Sequence, residues 1–350
     1  MRCITLINLE KEIREQPGVL CKVIQQNAKT YDALIARIRE KDPRHVYFAA
    51  RGTSDHASIY AQYLFAEYLG IPCGLSTPSA VTHYGAKMQY ERSVVIGVSQ
   101  SGAAEDVNEV LKQAKESGAI TVAVTNTPGS LLSKTADFHL CCFAGPEVSI
   151  AATKTFTAQM YLLAWLVAYW SGNDELKRSL SEVPLKMDEA MEGIPAQLDA
   201  LIPRFTQMTE AVVLGRGYEY PIALEGALKV LETNRVRMKG YSIADFYHGP
   251  LAQIYENEPV FLFAVKGPAY ADALAMIERL DGIGAEVITV TDDDDLAKRP
   301  LSVKIPAILR DTEAPYLTAL VMQLFACKLT EARGIDPDAV KVLKKVTVTK

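Results

Sequence analysis

The chain has 350 residues, of which 49% are hydrophobic and 23% charged, and its formal net charge is −5 at pH 7. This length and composition are typical of a globular protein with one large domain or two ordinary ones. The acidic balance, with no basic cluster longer than Lys344-Lys345, argues against a nucleic-acid-binding surface. The longest apolar run, residues 160–170, is too short to span a bilayer and is expected to form a core helix. We therefore expect neither a nucleic acid nor a membrane as a partner.

Cysteine and histidine usage argues against a metal centre. The six cysteines contain no CxxC pair, and the five histidines share no close spacing. Such a pattern is typical of small apolar thiols in a reducing compartment, and it supplies no ligand set for a metal ion. The first ten residues lack the long apolar stretch of a signal peptide. We expect a cytoplasmic protein that holds no metal.

The first half of the chain alternates between predicted helices and strands. Two polar-faced helices are predicted over the first 40 residues, with an interruption near Pro17. A helix is expected to follow the first of five predicted strands, which cover residues 45–50, 72–76, 94–98, 119–125 and 138–142. Strands separated by helical segments predict right-handed crossovers and therefore a parallel sheet.

The second half repeats this pattern. The segment 211–217 echoes residues 47–52, and later strands are expected at 259–265, 285–291 and 301–305. A charged segment with three prolines, residues 174–204, is expected to form a helical linker between the halves. The fold class predicted is α/β, with two domains that each have a parallel sheet flanked by helices, as in a flavodoxin-like three-layer αβα fold. The expected divisions are an N-terminal helical segment 1–40, a first domain 41–172, a linker 173–206, a second domain 207–335 and a C-terminal tail 336–350.

The segment that follows the strand 93–98 predicts an anion site. It reads Ser99-Gln100-Ser101-Gly102 and opens a predicted helix over residues 103–114. The unpaired N–H groups of a helix start, its dipole and two serine hydroxyls all suit a negative charge. Without a Walker spacing or a lysine in the loop, a sugar phosphate fits better than a nucleoside triphosphate. An ordinary serine-rich turn remains the alternative. The second half carries residues 266–268, Lys-Gly-Pro, at this place, which predicts that one half alone keeps the anion site.

Six motifs, in a fixed order along the chain, carry a resemblance to a known family: Arg51-Gly-Thr-Ser54, Ser99-Gln-Ser-Gly102, residues 147–154, residues 215–229, Tyr247-His248-Gly-Pro-Leu-Ala252 and residues 343–348. Together they resemble the sugar isomerase (SIS) domains over nearly the whole chain. The resemblance is closest to the isomerase part of glucosamine-fructose-6-phosphate aminotransferase and to the stand-alone type II glucosamine-6-phosphate deaminases. It implies two tandem SIS domains and a homodimer with its active site near the subunit interface. Since the chain begins directly before the first SIS-like domain, we expect no glutaminase domain.

The resemblance also implies roles for catalytic residues. Glu232 matches the carboxylate that moves a proton between C1 and C2 of the open-chain sugar, and Lys229 matches the lysine beside it. His248 matches the histidine that helps to open the sugar ring, and Lys344 matches the C-terminal lysine that reaches the carbonyl carbon, with Lys345 as a rival. From spacing alone, Lys229 and Glu232 would form an exposed ion pair three residues apart. The histidine would be a satisfied loop residue, and the two C-terminal lysines would be solvated.

The substrate contacts implied by the resemblance depart from the aminotransferase pattern. The positions implied are Gly52, Thr53, Ser54, Ser99, Gln100, Ser101, Ala104, Ile150 and Ala152. The family pattern has threonine where this chain has Ala104, glutamate at Ala103 and serine at Ala152. Two hydroxyls are therefore missing, and Ser149 or Thr153 could compensate. The backbone N–H groups and the two loop serines would then carry more of the phosphate binding.

The function expected is that of an isomerising deaminase that acts on an amino-sugar phosphate such as glucosamine 6-phosphate. Ring opening and C1–C2 proton transfer would give an imine, whose hydrolysis yields a ketose phosphate and ammonia. This chemistry needs no organic cofactor, because the imine itself makes the proton mobile. One alternative is a deglycase that cleaves sugar-phosphate adducts of amino acids in a roomier pocket. Another alternative is a phosphosugar sensor without catalysis.

Overall fold

The computed structural model describes residues 7–338 and residue 345. The chain begins with two helices, Asn8–Arg14 (α1) and Gln16–Lys41 (α2), which are separated at Glu15, close to the predicted interruption. Pro17 is the second residue of α2, where its missing N–H would have no helical partner. No helix in the described part of the chain is long and apolar enough to cross a membrane.

The described residues form two compact units. The first-sheet unit takes its described residues from Gly18–Glu147, Lys154–Leu180 and Lys345, and the second-sheet unit from 7–17, Val148–Thr153 and 181–338. Each unit contains one five-stranded sheet and is described separately below.

The first sheet is entirely parallel, with the strand order β2-β1-β3-β4-β5. Its strands are His45–Ala49 (β1), Cys73–Leu75 (β2), Ser93–Val98 (β3), Ile120–Thr125 (β4) and Phe138–Cys141 (β5). The helices of this unit, besides α2, are Thr53–Leu69 (α3), Pro78–Thr82 (α4), Glu105–Glu116 (α5), Leu131–Thr135 (α6) and Lys154–Ser171 (α7). Every residue of β3 and β4 is buried, which explains their continuous apolar sequence, because both faces of a central parallel strand are covered. The predicted core helix lies within α7, most of whose residues are buried.

The second sheet has the same topology, with the order β7-β6-β8-β9-β10. The long helix Asp174–Phe205 (α8) precedes it and contains three prolines. The strands are Glu210–Gly215 (β6), Arg237–Ser242 (β7), Pro259–Phe263 (β8), Glu286–Thr291 (β9) and Ser302–Lys304 (β10). The other helices are Tyr220–Asn234 (α9), Ile243–Phe246 (α10), Tyr270–Ile283 (α11) and Ala314–Ala332 (α12), with short 3₁₀ turns at Gly217–Glu219, Pro250–Gln253 and Leu296–Lys298.

The shared strand order confirms the internal repeat and the predicted α/β class with two parallel sheets. The strand β7 was absent from the sequence prediction, which is a correction to it. This edge strand carries two basic residues and a glycine, and it alternates between exposed and buried positions instead of forming an apolar run. Six residues of β7 pair in register with β6, from Arg237 opposite Glu210 to Ser242 opposite Gly215. The second domain therefore has a complete counterpart of β2.

Candidate functional site

The predicted phosphate residues lie where the first sheet reverses its winding direction. Strands β1 and β3 are neighbours, with Ala49 opposite Gly97, and the chain leaves them toward opposite sides of the strand order. In open α/β sheets, ligands bind in the crevice at the carboxyl ends of two such strands. The residues after β1 are Gly52, Thr53 and Ser54, and those after β3 are Ser99, Gln100 and Ser101. The fold therefore brings both predicted groups to one edge of the sheet.

The serine loop after β3 is held by backbone hydrogen bonds to neighbouring turns. The N–H of Ser99 donates to the carbonyl oxygen of Val124 over 3.1 Å, and the Gln100 carbonyl accepts from Asn126 N–H over 3.0 Å. The serine oxygens accept internal bonds, with Ser99 Oγ 3.2 Å from the nitrogen of Gly102 and Ser101 Oγ 3.3 Å from that of Ala103. A hydroxyl that accepts a bond can still donate its own hydrogen, so both serines can offer a donor to an anion.

Gly102 fixes the path of this loop. Its φ is +63°, a left-handed conformation, and a Cβ there would lie 2.2 Å from Ser130 Oγ. Its carbonyl oxygen accepts from Leu132 N–H over 3.1 Å, which ties the loop to the start of α6. Only glycine fits this backbone conformation and this close approach.

The helix α5 starts directly after the loop without a side-chain cap. Its N-cap residue is Ala104, which has no side-chain oxygen, and no cap hydrogen bond is formed there among the described residues. The first-turn residues include Glu105 and the buried Asp106, whose Oδ1 accepts from Val107 N–H over 2.9 Å. An uncapped helix start offers N–H groups to an anion, whereas these carboxylates oppose it.

The first βα turn is exposed at Arg51 and Gly52 and becomes buried at Ser54. Gly52 links β1 to α3, and Thr53 is the first residue of α3. Ser54 is buried, and its carbonyl oxygen accepts from Ser58 Oγ over 2.9 Å within the helix. The side chain of Arg51, which precedes this turn, pairs with Asp106 of α5. Sequence reasoning did not assign a role to Arg51, although an Arg-Gly pair recurs after the first strand of each half.

Ile150 and Ala152, two further predicted contacts, belong to the second-sheet unit. The backbone N–H of Ile150 donates to Asp338 Oδ1 over 2.9 Å, so this donor already has a partner. The N–H groups of Val148 and Ser149 donate to the Glu12 carboxylate. The side-chain oxygen of Ser149 is buried and has no hydrogen-bond partner among the described residues.

The second-sheet unit contains a buried lysine between two carboxylates on helix α9. Lys229 Nζ lies 2.7 Å from Glu232 Oε2 and 3.2 Å from Glu225 Oε1. The side chains of Lys229 and Glu225 are each 2% exposed, whereas that of Glu232 is 20% exposed. We call these three residues the Lys229 cluster. The ion pair expected from spacing alone is present, but it is buried and not a solvated surface pair. Sequence reasoning missed Glu225, although its spacing of four residues to Lys229 places it on the same helix face.

The electrostatics of the Lys229 cluster keep the ammonium charged. Burial by itself lowers the pKa of Lys229, but the negative charges of Glu225 and Glu232, together with their hydrogen bonds, outweigh it and raise the pKa. The cluster thus holds a permanent positive charge beside Glu232, the one member with appreciable solvent access. A carboxylate held in this way can exchange a proton with a bound molecule while its orientation is fixed.

His248 lies in the turn that follows α10. Its N–H donates to the carbonyl oxygen of Asp245 over 3.0 Å, and its side chain is exposed. The described residues show no hydrogen bond between His248 and the Lys229 cluster. The imidazole is therefore exposed to solvent and has no hydrogen-bond partner for its ring among the described residues.

Of the two C-terminal lysines, Lys344 lies outside the described residues. Lys345 Nζ donates to Glu147 Oε2 over 2.8 Å, and the Glu147 side chain is fully buried. Glu147 also accepts from the backbone N–H of Thr155 over 3.1 Å and from its hydroxyl over 2.8 Å. The ammonium of Lys345 is therefore engaged in a structural ion pair, which makes it a poor candidate for the reactive lysine.

A cavity of about 620 Å³ in the first-sheet unit lies beside α5, between this helix and the end of α4. Its lining includes His83, Lys112 and the carboxylates of Glu105, Asp106 and Glu109, and none of the predicted substrate residues. Three carboxylates make it a poor phosphate site. Within residues 7–338 and 345, no group of three or more histidine, cysteine, aspartate or glutamate side chains is placed to hold a metal ion.

Comparisons with known proteins identify relatives over almost the whole chain. The profile of the family described as "SIS domain" matches residues 41–169 and 205–330. The glutamine–fructose-6-phosphate aminotransferase (isomerizing) of Aquifex aeolicus is 34% identical over 342 residues, which cover 97% of this chain and 57% of that protein. The chain thus spans little more than half the length of the curated relatives that it matches.

Solved structures show a similar architecture. The C-terminal domain of glucosamine-fructose-6-phosphate aminotransferase from Francisella tularensis is 25% identical, with a TM-score of 0.85 over 97% of this chain and 99% of that chain. Glucosamine-6-phosphate deaminase from Thermotoga maritima is 23% identical, with a TM-score of 0.78 over 98% of this chain and 100% of that chain. The second likeness concerns the fold alone.

Proposed function

Because this chain belongs to the SIS domain family, we propose that it acts on the C1–C2 unit of a phosphorylated sugar. The reaction proposed is the deamination of an amino-sugar phosphate, glucosamine 6-phosphate being the best candidate, to a ketose phosphate and ammonia. The names of the relatives given above refer to fructose 6-phosphate or glucosamine 6-phosphate. We also propose that the protein works as a homodimer.

The observation that carries this proposal is the Lys229 cluster. A surface ion pair three residues apart on a helix would contribute little to stability and nothing to chemistry. Here Lys229 is buried, and it holds a carboxylate with partial solvent access at 2.7 Å. Burying a lysine between two carboxylates is costly unless all three are paired, and such arrangements are common at functional sites. A pure sensor would need a phosphate site but no proton-transfer group.

The proposed roles follow from the chemistry of each group. The serine loop binds the phosphate through the Ser99 and Ser101 hydroxyls and the uncapped start of α5. His248 transfers the proton that opens the sugar ring. Glu232 removes the proton from C2 of the open-chain aldehyde and delivers it to C1, while the C1 oxygen gains a proton and the amino nitrogen loses one. The resulting C2 imine takes up water and loses ammonia, which leaves the ketose phosphate.

The pairing of one C-terminal lysine decides which of the two we assign to the sugar carbonyl. Since Lys345 is paired with the buried Glu147, we assign the contact with the sugar carbonyl to Lys344. The pair then acts as an anchor for the C-terminal segment, because an ordered tail is needed for a terminal residue to act reproducibly. Lys344 would stabilise the developing charge at the carbonyl or form a Schiff base with it.

A coupled assay of ammonia and ketose phosphate tests the proposal. Purified protein given glucosamine 6-phosphate should release both products in equal amounts, and Glu232→Gln should abolish the release. The matched control is Glu286→Gln, since Glu286 is 18% exposed and pairs with Arg204, so it resembles Glu232 in exposure and in having a cationic partner. Turnover by Glu232→Gln at the rate of the control would exclude the proposed proton transfer.

The deglycase alternative is favoured by one feature, the small side chains of Ala103, Ala104 and Ala152. These residues stand where the family pattern has larger polar side chains, so a bulkier amine could fit. A protein that ignores glucosamine 6-phosphate but releases an amino acid from fructosamine 6-phosphate adducts would support this alternative. Binding of phosphosugars without any turnover would support a sensor instead.

A further inference from the structure

Each half of the chain has an arginine that links two neighbouring βα turns. In the first-sheet unit, Arg51 follows β1, and its Nη2 and Nε lie 2.8 and 2.9 Å from Asp106 Oδ2 in the first turn of α5. In the second-sheet unit, Arg216 follows β6, and its Nε lies 3.0 Å from Asp272 Oδ2 in the first turn of α11. We call each pair an arginine clamp. The two clamps occupy equivalent positions of the same strand order.

The first clamp lies level with the serine loop. Ala49 of β1 is opposite Gly97 of β3, so Arg51 and Ser99 each come two residues after a paired position. The Asp106 side chain is 2% exposed, whereas that of Arg51 is 47% exposed. The guanidinium therefore neutralises a buried carboxylate, lies 3.4 Å from Ser79 Oγ through Nη2, and stays half-exposed at the edge of the sheet.

In the second-sheet unit, the loop 266–268 stands at the place of the serine loop, and three carboxylates lie against it. The N–H of Lys266 donates to Asp292 Oδ1 over 2.8 Å, and Lys266 Nζ lies 3.1 Å from Asp293 Oδ2. At Gly267, where φ is +150°, a Cβ would lie 3.1 Å from Asp311 Oδ2. An entering anion would meet these carboxylates, so the second clamp makes no comparable anion site.

We propose that Arg51 is a phosphate-binding residue of the serine loop. This inference rests on the proposed function, because it takes the loop to be the place where the substrate phosphate binds. Glu105 and Asp106 oppose an anion at the start of α5, and Ala104 supplies no hydroxyl. The guanidinium offsets both deficits, since it cancels the charge of Asp106 and can donate charge-assisted hydrogen bonds to phosphate oxygens. Arg51 thereby selects phosphorylated over unphosphorylated sugars.

Calorimetric titration of the full chain with inorganic phosphate, glucosamine 6-phosphate and glucosamine tests the inference. Replacing Arg51 with methionine should weaken binding of both phosphorylated ligands roughly 10- to 100-fold, the range for a lost hydrogen bond to a charged group. Arg51→Lys should give an intermediate loss, because lysine keeps the charge but not the fork of donors. The matched control Arg216→Met, which breaks the second clamp, should change phosphate binding less than about threefold. Equal losses in the Arg51 and Arg216 variants, or no loss in either, would overturn the inference.

A double variant separates direct binding from charge neutralisation and guards against misfolding. Arg51→Met leaves the buried Asp106 without its counter-ion, whereas Arg51→Met with Asp106→Asn removes both charges of the clamp. Phosphate binding that stays 10- to 100-fold weaker in the folded double variant supports direct contact. Binding at the wild-type level in that variant would overturn it, because Arg51 would then act only by masking Asp106.

The same titrations distinguish this inference from the proposed reaction. If the wild-type protein binds inorganic phosphate in an Arg51-dependent manner but turns over no amino-sugar phosphate, the proposed reaction fails and the role of Arg51 stands. If turnover occurs and Arg51→Met binds and turns over the substrate as the wild type does, the proposed reaction stands and the role of Arg51 fails.

Discussion

Replacing Lys229 with methionine removes an ammonium from between two carboxylates and leaves a side chain of similar length. Glu225 is 2% exposed and Glu232 is 20% exposed, so neither carboxylate can be fully rehydrated in place. Breaking a buried ion pair from one side typically costs about 3–5 kcal/mol, because the remaining charge is left unpaired in a poorly solvated position. We expect a loss of this size in the free energy of unfolding, together with loss of turnover.

The effect should be measured at neutral pH by urea unfolding. The raised pKa of Lys229 means that its stabilising contribution is complete below the unfolded-state pKa of about 10.4 and is lost only as the pH rises through the folded-state pKa. A loss of 3–5 kcal/mol corresponds to a drop in Tm of roughly 6–20 °C for a domain of about 150–250 residues. Adding Glu225→Gln to the variant should restore part of the loss, since one of the two carboxylates that lost the ammonium becomes neutral.

The matched control is Lys298→Met. Lys298 Nζ lies 2.6 Å from Asp295 Oδ1, with the same separation of three residues, but the two side chains are 76% and 89% exposed. Solvent screens an exposed pair of this kind, so the control should unfold close to the wild type. If Lys229→Met also stays within about 1 kcal/mol of the wild type, the burial attributed to the Lys229 cluster is wrong.

Three further predictions concern a glycine, a buried acid and the C-terminal segment. Gly102→Ala should destabilise the protein and weaken phosphate binding, because its Cβ would lie 2.2 Å from a side-chain oxygen. Gly118→Ala, at φ +78° with open space around it, should cost only the backbone strain of about 1–2 kcal/mol in the same urea titration. Burial, only partly offset by a hydrogen bond from a threonine, raises the pKa of Glu219 to about 8. The contribution of Glu219 to stability is therefore complete below about pH 4.5 and declines as the pH rises to about 8. Glu219→Gln should flatten the pH dependence of the free energy of unfolding between pH 5 and 9. An unchanged slope would refute this assignment. Borohydride reduction during turnover, followed by peptide mass spectrometry, should place any trapped sugar adduct on Lys344; an adduct on Lys345 would contradict its pairing with a buried carboxylate.

The central strands could be predicted from the sequence, and the edge strand β7 could not. Strands β3 and β4 are buried at every position, which produces the apolar runs that a local pattern detects. The segment Arg237–Ser242 becomes a strand through its six-residue pairing with β6, a contact that its own sequence does not encode. The similar sequence patterns of the two halves predicted that both sheets share one strand order. The domain boundaries at residues 40, 172, 206 and 335 stay a prediction.

The candidate site was predictable where its signals are local. The serine loop follows a strand and opens a helix, and Lys229 and Glu232 share a helix face by their spacing, so both could be found in the sequence. The burial of Lys229 depends on distant segments that pack over α9 and has no local signal. The arginine clamp needs the order of the strands, since Arg51 and Asp106 are 55 residues apart. The pair of Lys345 and Glu147 joins positions 198 residues apart.

The most direct test of the proposed reaction follows the proton itself. Glucosamine 6-phosphate with deuterium at C2 should be converted in ordinary water, and the ketose phosphate analysed by NMR at C1. If Glu232 removes the C2 proton and returns it to C1, part of the deuterium will appear at C1 of the product, and Glu232→Gln will give neither label transfer nor ammonia. Product formed without any deuterium at C1, and at an unchanged rate in Glu232→Gln, would contradict the transfer assigned to this residue.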